Sequence, residues 1–224
     1  MQGWLTAVDI YCERTDASFW SEPINALTNL AFLFAAGLLW SRAQDQRALR
    51  LLAILIGLIG LGSFLFRTFG NRLTGLLDVF FIAAFIVAFA YLLPRVSWHQ
   101  TRWRAVGAML IALIFIAGTT ALVSSWRATL QWLPPGMYLG AWLILLIYAA
   151  LSRRLGPSAK AGGSASHFLW LAASLFGVSM IARQLDMPLC SSTGGLHWLW
   201  HLFNAAVLWA CARAIDRSNQ SPQT

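Results

Sequence analysis

Arg50-Leu51-Leu52-Ala53-Ile54-Leu55-Ile56-Gly57-Leu58-Ile59-Gly60-Leu61-Gly62-Ser63-Phe64-Leu65-Phe66-Arg67 decides the fold. Between the two arginines, Ser63 is the lone polar side chain. A helix over this stretch covers nearly the whole of a bilayer's hydrocarbon core, which is roughly 30 Å thick. Similar apolar segments lie at about 24–41, 74–93, 104–123, 135–151, 168–185 and 196–214, with the first quoted one at 50–67. The chain therefore reads as an all-α integral membrane protein, a bundle of seven transmembrane helices. Composition agrees. Of 224 residues, 58% are hydrophobic and 11% charged, too apolar for a soluble domain of this size, and the mean hydropathy is +0.64. Twelve Trp and 14 Phe suit interfacial belts and bundle packing.

The order along the chain gives three parts. Residues 1–23 form an acidic segment, with Asp9, Glu13, Asp16 and Glu22 against Arg14 alone. Residues 24–214 make the membrane domain, and 215–224 read as a disordered tail. The loop 152–167 is rich in Gly, Ser and Lys and is expected to be mobile. Met1 to Glu22 has neither a basic nor an apolar region of a cleavable signal, so the first span is expected to direct insertion.

The net charge of +8 raises the question of nucleic acid. No basic helix or Lys/Arg cluster interleaved with aromatics is present, so no nucleic-acid partner is expected. The charge lies in short loops instead. Eleven of the 16 basic residues, among them Lys160 and Arg217, fall on the side of loops 1–2, 3–4, 5–6 and the C-terminal tail. Arg14, Arg67, Arg72, Arg127 and Arg183 fall on the other side. The excess places the N-terminus outside and the C-terminus in the cytoplasm. Short loops and tails fit a bacterial inner membrane.

Polar residues within spans are costly and are site candidates by default. Here they are Glu22, Asn25, Asn29, Ser63, Arg67, Asp78, Arg183, Asp186, His197 and His201. With the topology above, all of them fall in the non-cytoplasmic half, which predicts a shared cavity there. His197 and His201 are four apart, so they share a helix face, where two imidazoles either chelate a metal or hydrogen-bond within the bundle. Asp78 has three open roles: metal ligand, general base, or ion-pair partner of Arg67 or Arg183. Asn25 and Asn29 suit interhelical hydrogen bonds. The acidic segment offers hard oxygen ligands for calcium or is simply solvated. Cys12 and Cys190 lie on the oxidising side, where a disulfide would tie the N-terminal segment to loop 6–7, and Cys211 reads as a buried core thiol.

Four separated motifs resemble the alkaline ceramidase family, part of a superfamily of seven-span membrane hydrolases that also includes adiponectin-receptor-like proteins. They are Tyr11-Cys12-Glu13 with Glu22-Pro23-Ile24-Asn25-Ala26-Leu27-Thr28-Asn29, then Gly62-Ser63-Phe64-Leu65-Phe66, then Asp78, then His197-Trp198-Leu199-Trp200-His201. The resemblance implies a zinc-dependent amidase acting on ceramide or a related N-acyl membrane lipid, with its site in the periplasmic half. His197 and His201 would be zinc ligands, Asp78 the base on the activated water, and Ser63 a support for the zinc site or the oxyanion. Asp9, Glu13, Glu22 and the Tyr11 carbonyl would fall in a calcium site, and Cys12 and Cys190 in a disulfide. No protein partner is implied.

One position departs from the pattern. The family's third zinc-ligand His corresponds here to Arg67. Arg stays protonated and has no lone pair for a metal. With two His left, either Asp78 becomes a ligand or Arg67 pairs with Asp78 and the metal is lost. Two functions therefore stand side by side: a ceramidase-like hydrolase, and a catalytically silent relative acting as a lipid-binding or receptor-like membrane protein. A small transporter is disfavoured because no internal repeat or broken-helix pair is visible.

Overall fold

The computed structural model describes residues 3–126, 129, 133–155 and 164–216. The tail 217–224, most of the mobile-loop expectation (156–163), and Arg127, Lys160 and Arg217 of the charge asymmetry lie outside the described residues. Within the described part the fold is all-helical, with one isolated β-bridge, Ala7 to Asn71.

The helices are α1 (Pro23–Thr28), α2 (Leu30–Ala43), α3 (Arg47–Phe69), α4 (Arg72–Leu92), α5 (Arg102–Trp126), α6 (Gly136–Leu155), α7 (Ser164–Leu185), α8 (Cys190–Thr193) and α9 (His197–Ile215). A π-helical turn, Leu93–Ser97, extends α4 around Pro94. Six stretches are long and apolar enough to cross a membrane: Pro23–Ala43, Arg47–Phe69, Arg72–Ser97, Arg102–Trp126, Gly136–Leu155 and Ala165–Leu185. They cover the first six expected spans. The seventh segment is also a continuous helix, α9, which carries His197, His201, Asn204 and Arg213 and is not among those six.

Neighbours in the chain pack on one another from α2 through α7, α9 packs most extensively on α7, and α2 meets α9 to close the ring. Burial follows this arrangement. Leu39, Leu49, Leu52, Ile56 and Leu169 are fully buried, whereas Phe34, Ile111 and Ile114 are about 70% exposed, as lipid-facing side chains are. Small residues let helices approach closely: a Cβ at Gly60 would stand 2.8 Å from the Phe32 Cβ of α2, and one at Gly62 would stand 2.9 Å from the Phe81 ring of α4.

Helix ends at the site are fixed by specific caps. Pro23 opens α1, and Glu13 accepts hydrogen bonds from the Ile24 and Asn25 amides at 2.7 and 2.8 Å. A carboxylate there answers both the free amides and the positive end of the helix dipole. Gly70 ends α3 at φ +52°, where a Cβ would collide with the Arg14 guanidinium. Asn71 and Thr74 form a reciprocal cap on α4. Asp186 accepts from the amides of Leu196 (2.7 Å) and His197 (2.9 Å) and so fixes the start of α9.

The N-terminal segment lies across this end of the bundle. It bonds to the α3–α4 junction through Val8 to Gly70 and through Arg72 and Leu73 to Thr6 and Trp4. A disulfide, Cys12–Cys190, closes it onto the first residue of α8, with Cα atoms 5.4 Å apart. Cys211 is free and buried, as expected. The bridge closes a loop of 178 residues, so replacing both Cys12 and Cys190 with Ser should cost about 2–4 kcal/mol. Non-reducing peptide mapping should recover Cys12 linked to Cys190. Thermal unfolding of the purified double variant should give a lower Tm, and an unchanged Tm would contradict this role.

Candidate functional site

Helix ends converge at one place: the start of α1, the end of α3, the start of α4, the end of α7 and the start of α9. Arg67 sits at the centre and is 2% exposed. Its guanidinium pairs with Glu22 at 3.2 Å and with Asp78 at 3.8 Å. Glu22 also receives the Arg14 Nε at 2.7 Å and the Asn25 amide at 3.1 Å. Arg14 in turn donates to the Arg67 carbonyl at 2.6 Å. The result is an alternating chain of buried charges, Arg14, Glu22, Arg67, Asp78. Each charge is matched by an opposite one, as burial requires. Ser63 lines the same cavity as Asp78.

The Tyr11 ring connects this chain to the histidines. It lies 3.9 Å from the Arg67 guanidinium and 4.0 Å from the His197 ring centroid. His197 and His201 have ring centroids 4.8 Å apart, with their planes perpendicular. His201 Nδ1 meets the Thr28 hydroxyl at 2.9 Å. The other three ring nitrogens, both of His197 and Nε2 of His201, are buried without a hydrogen-bond partner.

Below this cluster a cavity of about 100 Å³ runs into the bundle, well above the roughly 10–15 Å³ that admits one water. Ser63, Asp78, Tyr138, His201 and Asn204 contribute its polar groups. Phe85, Phe89, Ile116, Leu145, Val207 and other apolar side chains line the rest. Of the ten polar residues expected to share a cavity, Ser63, Asp78 and His201 lie on its wall, and the other seven are not among its lining residues.

Each neutral imidazole carries one ring-nitrogen lone pair, and with three ring nitrogens unpartnered the pair keeps donors of the type zinc takes. Arg67 supplies no third donor. Among the described residues no three His, Cys, Asp or Glu side chains converge as a metal site. Asp78, on the same cavity wall, is the oxygen donor that remains, and it is held toward Arg67. The calcium set is not brought together. Asp9 is exposed, with no contact among the described residues joining it to Glu13 or Glu22. Glu13 caps α1, and Glu22 lies between two guanidiniums, where a further cation is repelled. Asp16 is tied locally: the Ser18 hydroxyl and amide hold its carboxyl below the usual range.

Some side chains of the site carried no direct signal in sequence. Thr28 holds His201, and its clue was its place between Asn25 and Asn29. Arg14 was the lone base among four acids. The Tyr11 ring, rather than its carbonyl, touches the site. Asn25 and Asn29 bond within their own segment, to Glu22 and to the Asn25 carbonyl, so they are local ties and not interhelical ones.

No family model, curated protein or solved structure matches the chain. The site's own geometry carries a prediction. Arg67→Ala leaves Asp78 without its ion-pair partner and Glu22 with one guanidinium, and should cost about 3–5 kcal/mol. Arg67→Lys should recover part of that, since a point charge cannot reproduce the planar fork. Thermal unfolding of the purified variants, followed by tryptophan fluorescence, is the check. An Arg67→Ala protein as stable as the wild type would contradict the network.

Proposed function

We propose that the protein is a ceramidase-like membrane hydrolase that cleaves the amide of ceramide or another N-acyl lipid. One observation carries this: a single cavity has Ser63, Asp78 and His201 on its wall and is otherwise largely apolar. The apolar lining suits a hydrocarbon chain, and an acyl chain that opened its way into it would leave the amide at the polar groups. The proposal includes seven spans, with the N-terminus and the site on the periplasmic side of a bacterial inner membrane. In its favour are α9 closing the ring between α2 and α7 and the excess of basic residues on the opposite side.

In the reaction water adds to the amide carbonyl, the carbon–nitrogen bond breaks, and the nitrogen takes a proton. A fatty acid and an amine leave. Asp78 takes the proton from water and returns it to the departing nitrogen. It must first give up its contact with Arg67, which at 3.8 Å is the longer of the two arginine pairs. Ser63 donates to the oxygen on which negative charge develops, and Arg67 adds a fixed positive charge beside it. Zinc bound at His197 and His201 would supply Lewis-acid polarisation of the carbonyl and a water with its pKa lowered toward about 7. Tyr11, held by the disulfide next to it, covers His197 and limits access of bulk water.

A second reading rests on Arg67 itself. Its pairing with both Glu22 and Asp78 neutralises the base and occupies the third ligand position. That favours a silent, lipid-binding member of the same architecture.

The test is zinc content and fatty-acid release from N-acyl lipids by the purified wild type, Arg67→His and Asp78→Asn. The hydrolase predicts release by the wild type and a drop of about 10²–10⁴-fold in Asp78→Asn. Release by Arg67→His alone would establish the silent reading for the natural protein. If neither protein binds zinc nor releases fatty acid, the metal-dependent reading fails.

A further inference from the structure

Four carboxylates at this end of the bundle are committed. Glu13 and Asp186 cap helices, Glu22 lies between Arg14 and Arg67, and Asp78 faces Arg67. This leaves Arg183, at the end of α7, without an ion-pair partner among the described residues. Its side chain is half-buried, and its guanidinium lies 5.4 Å from the Tyr138 ring centroid and 5.6 Å from that of Trp200. Those two rings meet edge-on at 4.9 Å, and both line the cavity. The Trp200 ring also lies 6.3 Å from the His197 ring, so Arg183 sits one aromatic ring away from the histidine end of the site. A cation held over two rings that line a cavity, with no carboxylate paired to it, is a ready partner for an anion.

We propose that the cavity selects N-acyl lipids with a carboxylate next to the amide, that is, fatty-acylated amino acids, and that Arg183 recognises the carboxylate. This rests on the reading of the cavity as an N-acyl lipid site. The products give an independent argument. Either cleavage releases a fatty-acid carboxylate and an ammonium, and the amine from a neutral amide carries no group that pairs with Arg183. Cleavage of an acylated amino acid leaves a zwitterion, whose carboxylate stays paired with Arg183 as the ammonium forms. Water again adds to the carbonyl and the carbon–nitrogen bond breaks, so the reaction needs no further reactant.

The test compares binding of N-palmitoylglycine, its uncharged analogue N-palmitoylglycinamide, and ceramide to the full-length protein in nanodiscs. The wild type should bind the carboxylate at least about tenfold more tightly than the amide analogue. Arg183→Gln should erase that preference, and Arg183→Lys should keep part of it. Equal affinities in the wild type, or a preference unchanged in Arg183→Gln, overturns the proposal. An Arg183 that only snorkels to water gives that result. Discrimination without cleavage upholds the proposal while the hydrolase reading falls. Cleavage of ceramide with no preference for the carboxylate does the reverse. Failure to bind any of the three lipids overturns the proposal.

Discussion

The buried pairing of Arg67 with Glu22 and Asp78 is the constraint on which the site depends. A guanidinium that is 2% exposed inside a membrane bundle needs opposite charge within reach. Glu22 comes from the start of α1 and Asp78 from α4, so one side chain of α3 ties three elements together. Arg14 extends the tie to the N-terminal segment. The charges also shape the chemistry of the cavity. They fix where Asp78 points, and they put a permanent cation next to it.

Around that pairing, helix-end chemistry and close packing do the positioning. The Asp186 carboxylate caps α9 and also accepts from the Cys12 amide at 3.1 Å. One side chain thus sets both the helix that carries His197 and His201 and the segment that carries Tyr11. Gly70 gives Arg14 the room to reach Glu22. At the centre of the bundle Asn204 donates to Ser179 at 3.0 Å, joining α9 to α7 and holding the ring closed beside the cavity. Fold and site are therefore not separable here: the interactions that close this end of the bundle also present the polar groups.

Much of this was legible in the sequence, for physical reasons. A helix that crosses hydrocarbon must be apolar over its length, so the stretch from Arg50 to Arg67 and its counterparts announce themselves. The cost of polar groups in that medium made Glu22, Ser63, Asp78, His197 and His201 stand out, and they do gather at one end. The disulfide was legible through the motif resemblance and the side of the membrane on which both cysteines were expected. What was not legible depends on loop paths and distant partners. The break between α1 and α2 at Asn29, the π-helical turn at Pro94 and the place of the Tyr11 ring follow from tertiary contacts that no local pattern encodes. α9 was found as a helix, and it carries His197 and His201 of the site.

The central claim is that the acyl chain of an N-acyl lipid enters the cavity and leaves its amide at Ser63, Asp78 and His201. The most direct measurement is photolabelling in nanodiscs with an N-acyl lipid that carries a diazirine at the end of its acyl chain. Label recovered by mass spectrometry on cavity residues such as Phe89, Tyr148 and Val207 is the predicted result. Label confined to the outward faces of the helices, at Phe34, Ile111 and Ile114, would contradict it.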